Sequence, residues 1–146
     1  MTNHLGDLVT IIVVSYNHER YISQCLESIE KQTLRPSRVI ILDDRSSDSS
    51  VQIAERFADA SDLNATVIPH RFNVGLCRTL NEALDMVDTK YYAYISADDY
   101  MMPTRLERQL KLFETLPDDY AVVYSDAWRE NGDMERLDRK STRLNS

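Results

Sequence analysis

The sequence predicts an α/β fold, a mostly parallel central sheet with helices on both faces, and three observations predict it. Residues 9–14 (VTIIVV) form a continuous, largely β-branched run without polar alternation, the pattern of a strand covered on both faces. Short apolar runs of this kind then alternate with segments of helical period, which implies right-handed βαβ crossovers. Polar and acidic residues follow the strands, at the carboxyl edge where open parallel sheets bind their ligands.

The elements follow in order. After the first strand, Ile22, Cys25, Leu26 and Ile29 share one face of a helix expected over 19–32 and ended before Pro36. Residues 39–42 (VIIL) supply a second buried strand. From Ser49 the period is helical again, with Gln52 in capping-box spacing and Ile53, Ala54, Phe57 and Ala58 as the apolar stripe. Residues 65–68 (ATVI) make a third strand that stops at Pro69. Leu76, Leu80, Ala83, Leu84 and Val87 recur at helical spacing, and 91–95 (YYAYI) follow as a fourth strand, with Tyr91, Tyr92 and Tyr94 expected in the core or half-buried. Pro103 suits the first position of a helix whose Leu106, Leu110 and Phe113 face inward, and 121–124 (AVVY) are expected as a fifth strand. Beyond residue 127 the pattern decays, so the folded portion is expected over 8–127 and an irregular tail over 128–146. Its polar end, residues 139–146, resembles translated adapter sequence and is set apart from fold reasoning.

At 146 residues, 42% hydrophobic and 28% charged, the chain has the size and composition of one globular domain. A formal charge of −7 and a pI near 4.9 argue against a nucleic-acid backbone or an anionic membrane as the main partner. Any phosphate must be held locally, by a metal, a few cations or helix N-termini. Cys25 and Cys77 both fall within apolar helical patterns, so neither a disulfide framework nor a zinc site is expected, and a reducing, cytoplasmic setting is. His4, His18 and His70 lack metal-ligand spacing. No stretch approaches the ~18 consecutive apolar residues of a membrane span, and residues 1–8 lack the charged-then-apolar pattern of a leader. A longer parent is expected at the inner face of the membrane.

The candidate site lies at the strand ends: Ser15, Tyr16 and Asn17 after the first, Asp43 and Asp44 after the second, Asn73 and Gly75 after the third, and Ser96, Asp98 and Asp99 after the fourth. Two acidic pairs at one edge raise each other's pKa unless something positive or a hydrogen-bond donor joins them. A divalent cation with a phosphorylated ligand resolves this, because Mg²⁺ and Mn²⁺ take carboxylate oxygens and share their coordination with phosphates. The same aspartates also suit turns and helix caps, and both uses stay open at this level. Tyr16 fits either packing or stacking on a nucleobase. Arg78, shortly after Gly75, fits either a solvated helix face or a phosphate contact. With glycine at positions 6, 75 and 132, the chain has no GxGxxG or Walker A turn and no nucleophile elbow.

In order and spacing, residues 9–17 (VTIIVVSYN), 39–47 (VIILDDRSS), 73–75 (NVG) and 94–103 (YISADDYMMP) resemble the successive signatures of family-2 glycosyltransferases. The resemblance implies a GT-A, Rossmann-like three-layer sandwich around a mostly parallel sheet, truncated here at its C-terminal side. It implies that Tyr16 and Asp44 contact the base of a nucleoside diphosphate sugar, most simply a UDP-sugar, with Asp43 close by. It extends the substrate set to Ser15, Asn17, Asn73, Gly75, Arg78 and Asp98. Asp98 and Asp99 match the metal-binding DXD element, which would hold Mn²⁺ or Mg²⁺; Ser96 stands where the commonest form has an Asp, so Asp99 is the firmer metal ligand. The implied reaction is transfer of the sugar, with inversion, to a hydroxyl of a sugar or lipid-linked acceptor. The family's general base follows the DXD element by roughly a hundred residues, a spacing taken from the resemblance alone, so the chain is expected to be a fragment that binds donor without efficient transfer.

Two other classes compete. A nucleotidyltransferase requires a glycine-rich basic loop after the first strand, where Ser15, Tyr16 and Asn17 stand instead. A phospho-receiver signalling domain requires its acidic pair after that strand and a Lys after the fifth, and neither is present.

Overall fold

The computed structural model describes residues 8–131 and the backbone of 136–140. The chain divides into two compact units, Met1–Leu110 and Lys111–Ser146.

In the first unit β1 (Val9–Ser15), α1 (Ile22–Glu30), β2 (Arg38–Asp43), α2 (Ser50–Ala60), β3 (Ala65–Pro69), α3 (Leu76–Asp85) and β4 (Tyr91–Ser96) alternate, and α4 (Arg105–Thr115) begins. The strands form one parallel sheet in the order β3-β2-β1-β4. Strands add outward from β1 through β2 and β3 and then reverse to β4, so the switch point falls between β1 and β4, where such sheets open a crevice.

Every residue of β1 is buried, as a strand covered on both faces requires. Val9, Ile11 and Val13 join Val39, Ile41 and Ile95 beneath Ile22, Cys25, Leu26 and Ile29 of α1, Ala54 of α2, and Leu106 and Leu110 of α4. On the other face Ile12, Val14, Ile40 and Leu42 meet Leu80 and Ala83 of α3, with Met86 and Val87 just beyond it. The three layers expected from the sequence are therefore present. Each fully buried Ile or Leu contributes about 1.5–3 kcal/mol of transfer free energy.

Four expectations are corrected. Tyr92 and Tyr94 are 54% and 37% exposed, because α3 packs over β1 and β2 and leaves that face of the terminal strand β4 uncovered. Helix α1 starts at Ile22 rather than near residue 19, since Tyr21 at φ −121° leaves helical geometry after a turn in which the Tyr21 and Ile22 amides both donate to His18 O. The capping box at Ser49 does not form: Ser49 makes no side-chain cap, and Asp48 Oδ1 accepts the Ser50 amide at 2.9 Å in its place. Pro103 precedes α4 in a turn, and the helix begins at Arg105.

In the second unit residues 121–124 form no strand. Strand structure appears later, where β5 (Ala127–Glu130) pairs antiparallel with β6 (Arg136–Lys140). The span expected to be an irregular tail thus contains a two-stranded ribbon, whose alternation is too short to register as a pattern of period two. Residues 141–146, set apart above, and His4 lie outside the described residues.

Candidate functional site

The carboxyl ends of β1 and β2 are joined by continuation of the ladder, the Asp44 amide donating to Ser15 O at 2.8 Å. Beyond that point the β1–α1 and β2–α2 loops exchange hydrogen bonds in both directions. The Asn17 amide donates to Ser46 Oγ (2.8 Å), the His18 amide to Ser50 Oγ (2.9 Å) and the Glu19 amide to Asp48 Oδ2 (3.0 Å). In return, Asn17 Oδ1 accepts the Ser47 amide at 2.8 Å and Glu19 Oε2 accepts the Ser49 amide at 3.0 Å. Asn17 adopts the left-handed region at φ 55°, which Asn tolerates because its short side chain can bond locally.

The two residues of the first acidic pair are bound by the protein itself. Asp43, buried, receives the Ser46 amide on one oxygen and the Ser46 hydroxyl on the other, each at 2.6 Å. Asp44, also buried, receives the Val74 amide on Oδ1 (2.7 Å) and the Gly75 amide on Oδ2 (2.8 Å), with His70 Nδ1 3.1 Å from Oδ1. A carboxylate only accepts, so this His70 nitrogen carries the proton. Its other ring nitrogen lies 3.1 Å from Glu82 Oε2, out of hydrogen-bond alignment. Burial pushes the Asp44 carboxyl up, but the Val74 amide, His70 and the Gly75 amide together hold it below the ordinary Asp value. The carboxylate also sits at the N-terminus of α3, whose dipole favours negative charge. Gly75, the N-cap, has φ 84° with open space where a Cβ would stand, so its backbone conformation rather than crowding calls for glycine.

At the end of β4 the Ala97 amide donates to Val14 O at 2.9 Å, which fixes the following turn across the switch point. Ser96 Oγ donates to Asp98 Oδ1, and Asp98 Oδ2 lies 3.9 Å from His18 Nε2. The Asp98 side chain is 49% exposed, and Asp99 is exposed as well. Their charge reaches inward: Cys25 is pushed up to about 12 by burial, then by the Asp99 and Asp98 carboxylates. Tyr94 is raised chiefly by burial, with the same two carboxylates adding to it. Burial pushes Arg105 down while Asp99 opposes the shift, so Arg105 is a cation within electrostatic reach of Asp99.

Each residue singled out from the sequence can now be placed. Tyr16 is 49% exposed at the tip of β1, in the open position a stacking ring requires. Ser15 is fully buried, its Oγ without a hydrogen-bond partner among the described residues. Asn17 is engaged in the loop exchange, and Asn73 Nδ2 donates to Asp44 O at 3.0 Å. Arg78 is exposed in the first turn of α3. Asp43 and Asp44 form one bonded group; Asp98 and Asp99 form a second, more open one.

Several contributors were not singled out in the sequence: His18, Glu19, Asp48, His70 and Arg105. His18 and His70 follow the ends of β1 and β3, so the strand-end rule that found the aspartates would have found them too. Arg45, within the 39–47 signature, is left-handed at φ 68°, with its guanidinium 5.9 Å from the centre of the Phe72 ring.

A divalent cation fits the second acidic group in part. Asp98 and Asp99 offer hard oxygen ligands with open exposure, while no cluster of three or more His, Cys, Asp or Glu stands in ligating geometry among the described residues. A partial carboxylate set is what Mg²⁺ or Mn²⁺ uses when waters and phosphate oxygens complete its shell.

Comparison with known proteins agrees with this architecture. The chain is 35% identical over 122 residues to EpsH of Bacillus subtilis, covering 81% of this chain and 35% of EpsH. It superposes on S. aureus TarS 1-349 in complex with UDP-GlcNAc with TM-score 0.67 and 29% identity, over 73% of this chain and 31% of that one. Against the mannosyltransferase PcManGT from Pyrobaculum calidifontis, in complex with GDP-Man and Mn²⁺, the TM-score is 0.60 at 28% identity, over 64% and 28% of the two chains. The chain therefore spans about a third of the length of these relatives. The nucleotidyltransferase and receiver alternatives give way, because the family model described as Glycosyl transferase family 2 matches residues 10–145. Carrying the matched segment on a parallel α/β sheet with both acidic groups at its carboxyl edge, the chain belongs to glycosyl transferase family 2.

Proposed function

We propose that this stretch is the donor-binding portion of an inverting glycosyltransferase that takes a nucleoside diphosphate sugar, a UDP-sugar first, and delivers the sugar to a hydroxyl of a sugar or lipid-linked acceptor. The observation that carries the reading is the pairing, at one sheet edge, of an exposed Tyr16 beside a buried Asp43–Asp44 group held by backbone donors with an exposed Asp98–Asp99 group across the β1/β4 switch point.

In this reading Tyr16 stacks on the base and Asp44 accepts from its edge. Each oxygen of a carboxylate has two acceptor sites, and Asp44 Oδ2 has one protein donor, the Gly75 amide, so a further donor can be received. Ser15, Asn17 and Asp43 support that end, Asn73 and Gly75 hold Asp44 in place, and Arg78 reaches toward the phosphates. Asp98 and Asp99 would hold Mn²⁺ or Mg²⁺, and the cation would offset the negative charge gained by the departing diphosphate. His18 Nε2 stands 3.9 Å from Asp98 Oδ2, between the base-binding loop and the metal-binding turn. Deprotonation of the acceptor is assigned to no residue of this stretch.

TarS bound to UDP-GlcNAc and PcManGT bound to GDP-Man and Mn²⁺ support the donor class and the metal. No helix among the described residues is long and apolar enough to cross a membrane. A cytoplasmic setting for this part, with the parent at the inner membrane face, belongs to the same reading.

The test is calorimetric titration of UDP, GDP and dTDP into the purified chain, with and without Mn²⁺, for wild type and Asp99→Ala. Metal-dependent binding of one diphosphate, lost or strongly weakened in Asp99→Ala, is expected. A folded chain that binds none of the three, with or without metal, would overturn the reading.

A further inference from the structure

Beyond the residues that would touch the donor, the reciprocal hydrogen-bond exchange between the β1–α1 and β2–α2 loops has a consequence of its own. Tyr16 is carried by the first loop and Asp44 by the start of the second, and their separation defines the slot into which a base would slide. Strand pairing fixes the chain as far as Ser15 and Asp44. Beyond that point the relative position of the loops rests on the reciprocal bonds.

The outer half of the exchange is built on two carboxylates. Asp48 accepts the Glu19 amide across the gap and, within its own loop, the Ser50 amide (2.9 Å) and hydroxyl (2.6 Å). Glu19 accepts the Ser49 amide in the opposite direction. The inner half runs through Asn17, Ser46 and Asp43, the Ser46 hydroxyl donating to Asp43 while accepting the Asn17 amide. The outer half ties the N-terminus of α2 to the turn ahead of α1, the inner half ties the β2–α2 loop at Ser46 to Asn17, and neither belongs to the hydrophobic core.

We propose that Glu19 and Asp48 are positioning residues that set nucleotide-base selectivity by holding the Tyr16 loop at a fixed distance from Asp44. The inference rests on the donor-binding reading and deepens it. Side chains locked by neighbouring hydrogen bonds hold a site in its working geometry, and a small displacement far from the chemistry is felt strongly at the ligand. Glu19 is exposed, so its removal loosens the loops without opening a cavity.

The experiment compares wild type, Glu19→Ala, Glu19→Gln and Glu19→Asp by calorimetric titration with UDP, GDP, CDP and dTDP in Mn²⁺, at a temperature where circular dichroism shows each variant folded. Gln keeps an acceptor oxygen at the same reach, Asp withdraws it by one methylene, and Ala removes it. For Ala and Asp the tightest of the four diphosphates should weaken by about tenfold, and its lead over the next should narrow; Gln should restore both. Equal weakening of all four, or no change, overturns the proposal and leaves the donor-binding reading standing. Failure of wild type to bind any of the four overturns the donor-binding reading and this proposal with it. If neither Ala nor Asp folds, Glu19 is a determinant of folding and the proposal also falls.

Discussion

Asp44 and Gly75 are joined by a hydrogen bond of 2.8 Å from the glycine amide to Oδ2, which ties the end of β2 to the N-terminus of α3 across a sequence gap of 31 residues. The Val74 amide takes the other oxygen, so one buried carboxylate satisfies two successive backbone donors. Helix N-termini leave such donors without intrahelical partners.

Replacing Asp44 by Asn therefore damages the fold as well as any ligand site. An amide offers one acceptor oxygen, and its NH₂ group would face either the Val74 or the Gly75 amide, donor against donor. Asp44→Asn is expected to lower stability by about 1.5–3 kcal/mol, the range for a lost hydrogen bond to a charged group. Urea unfolding of wild type and variant checks this, and equal midpoints would show that the pair carries no weight.

The same geometry gives a sign for acid sensitivity. Asp44 and Asp48 both have folded values held below the ordinary 3.8. In each case burial pushes the group up and hydrogen bonds outweigh it: from Val74, His70 and Gly75 for Asp44, and from the Ser50 hydroxyl and the Glu19 and Ser50 amides for Asp48. Their stabilisation is present above pH 3.8 and is lost as pH falls below it through the lowered folded values. Melting temperatures recorded from pH 7 downward should drop below pH 3.8, with a shallower drop in Asp44→Asn. Identical acid limbs in the two proteins would contradict the assignment.

Much of this was legible in the sequence, because buried parallel strands and amphipathic helices write their periods directly into residue order. The runs at 9–14, 39–42, 65–68 and 91–95 all became strands of the sheet. The apolar run at 121–124 did not: four residues fix a pattern but not a partner, and a strand exists only where something pairs with it. Tyr92 and Tyr94 were misplaced for a related reason. Composition cannot tell a central strand from a terminal one, and β4 is terminal in this sheet. At the site, residue type and strand-end position found Tyr16 and the aspartates. Partners separated by about thirty positions, such as Glu19 with Ser49, leave no local periodicity to find.

The two cysteines should differ sharply in reactivity. Cys25 is fully buried on α1, and its thiol is pushed up to about 12 by burial and then by the Asp99 and Asp98 carboxylates; Cys77 is exposed on α3. Thiolate, not thiol, is the nucleophile. A disulfide reagent at pH 8 should label the native chain at Cys77 alone, with Cys25 reacting only after denaturation, and Cys77→Ser should abolish the native reaction. Rapid native labelling of Cys77→Ser would show Cys25 to be accessible and its neighbourhood looser than described.

Tyr16 offers the sharpest separation between a residue that packs and one that binds. Half of its surface is exposed, it stands immediately past a fully buried strand, and it belongs to neither apolar core cluster. Removal of an exposed side chain typically changes stability by no more than about 0.5 kcal/mol, whereas loss of one aromatic platform beneath a base costs roughly 1–3 kcal/mol of binding. Tyr16→Ala should therefore melt close to wild type while weakening nucleoside diphosphate binding by about one to two orders of magnitude, and Tyr16→Phe should retain most of the affinity because the ring face is kept. The opposite result, a lowered melting temperature with unchanged affinity, would assign Tyr16 to packing and move the base-binding surface away from the tip of β1.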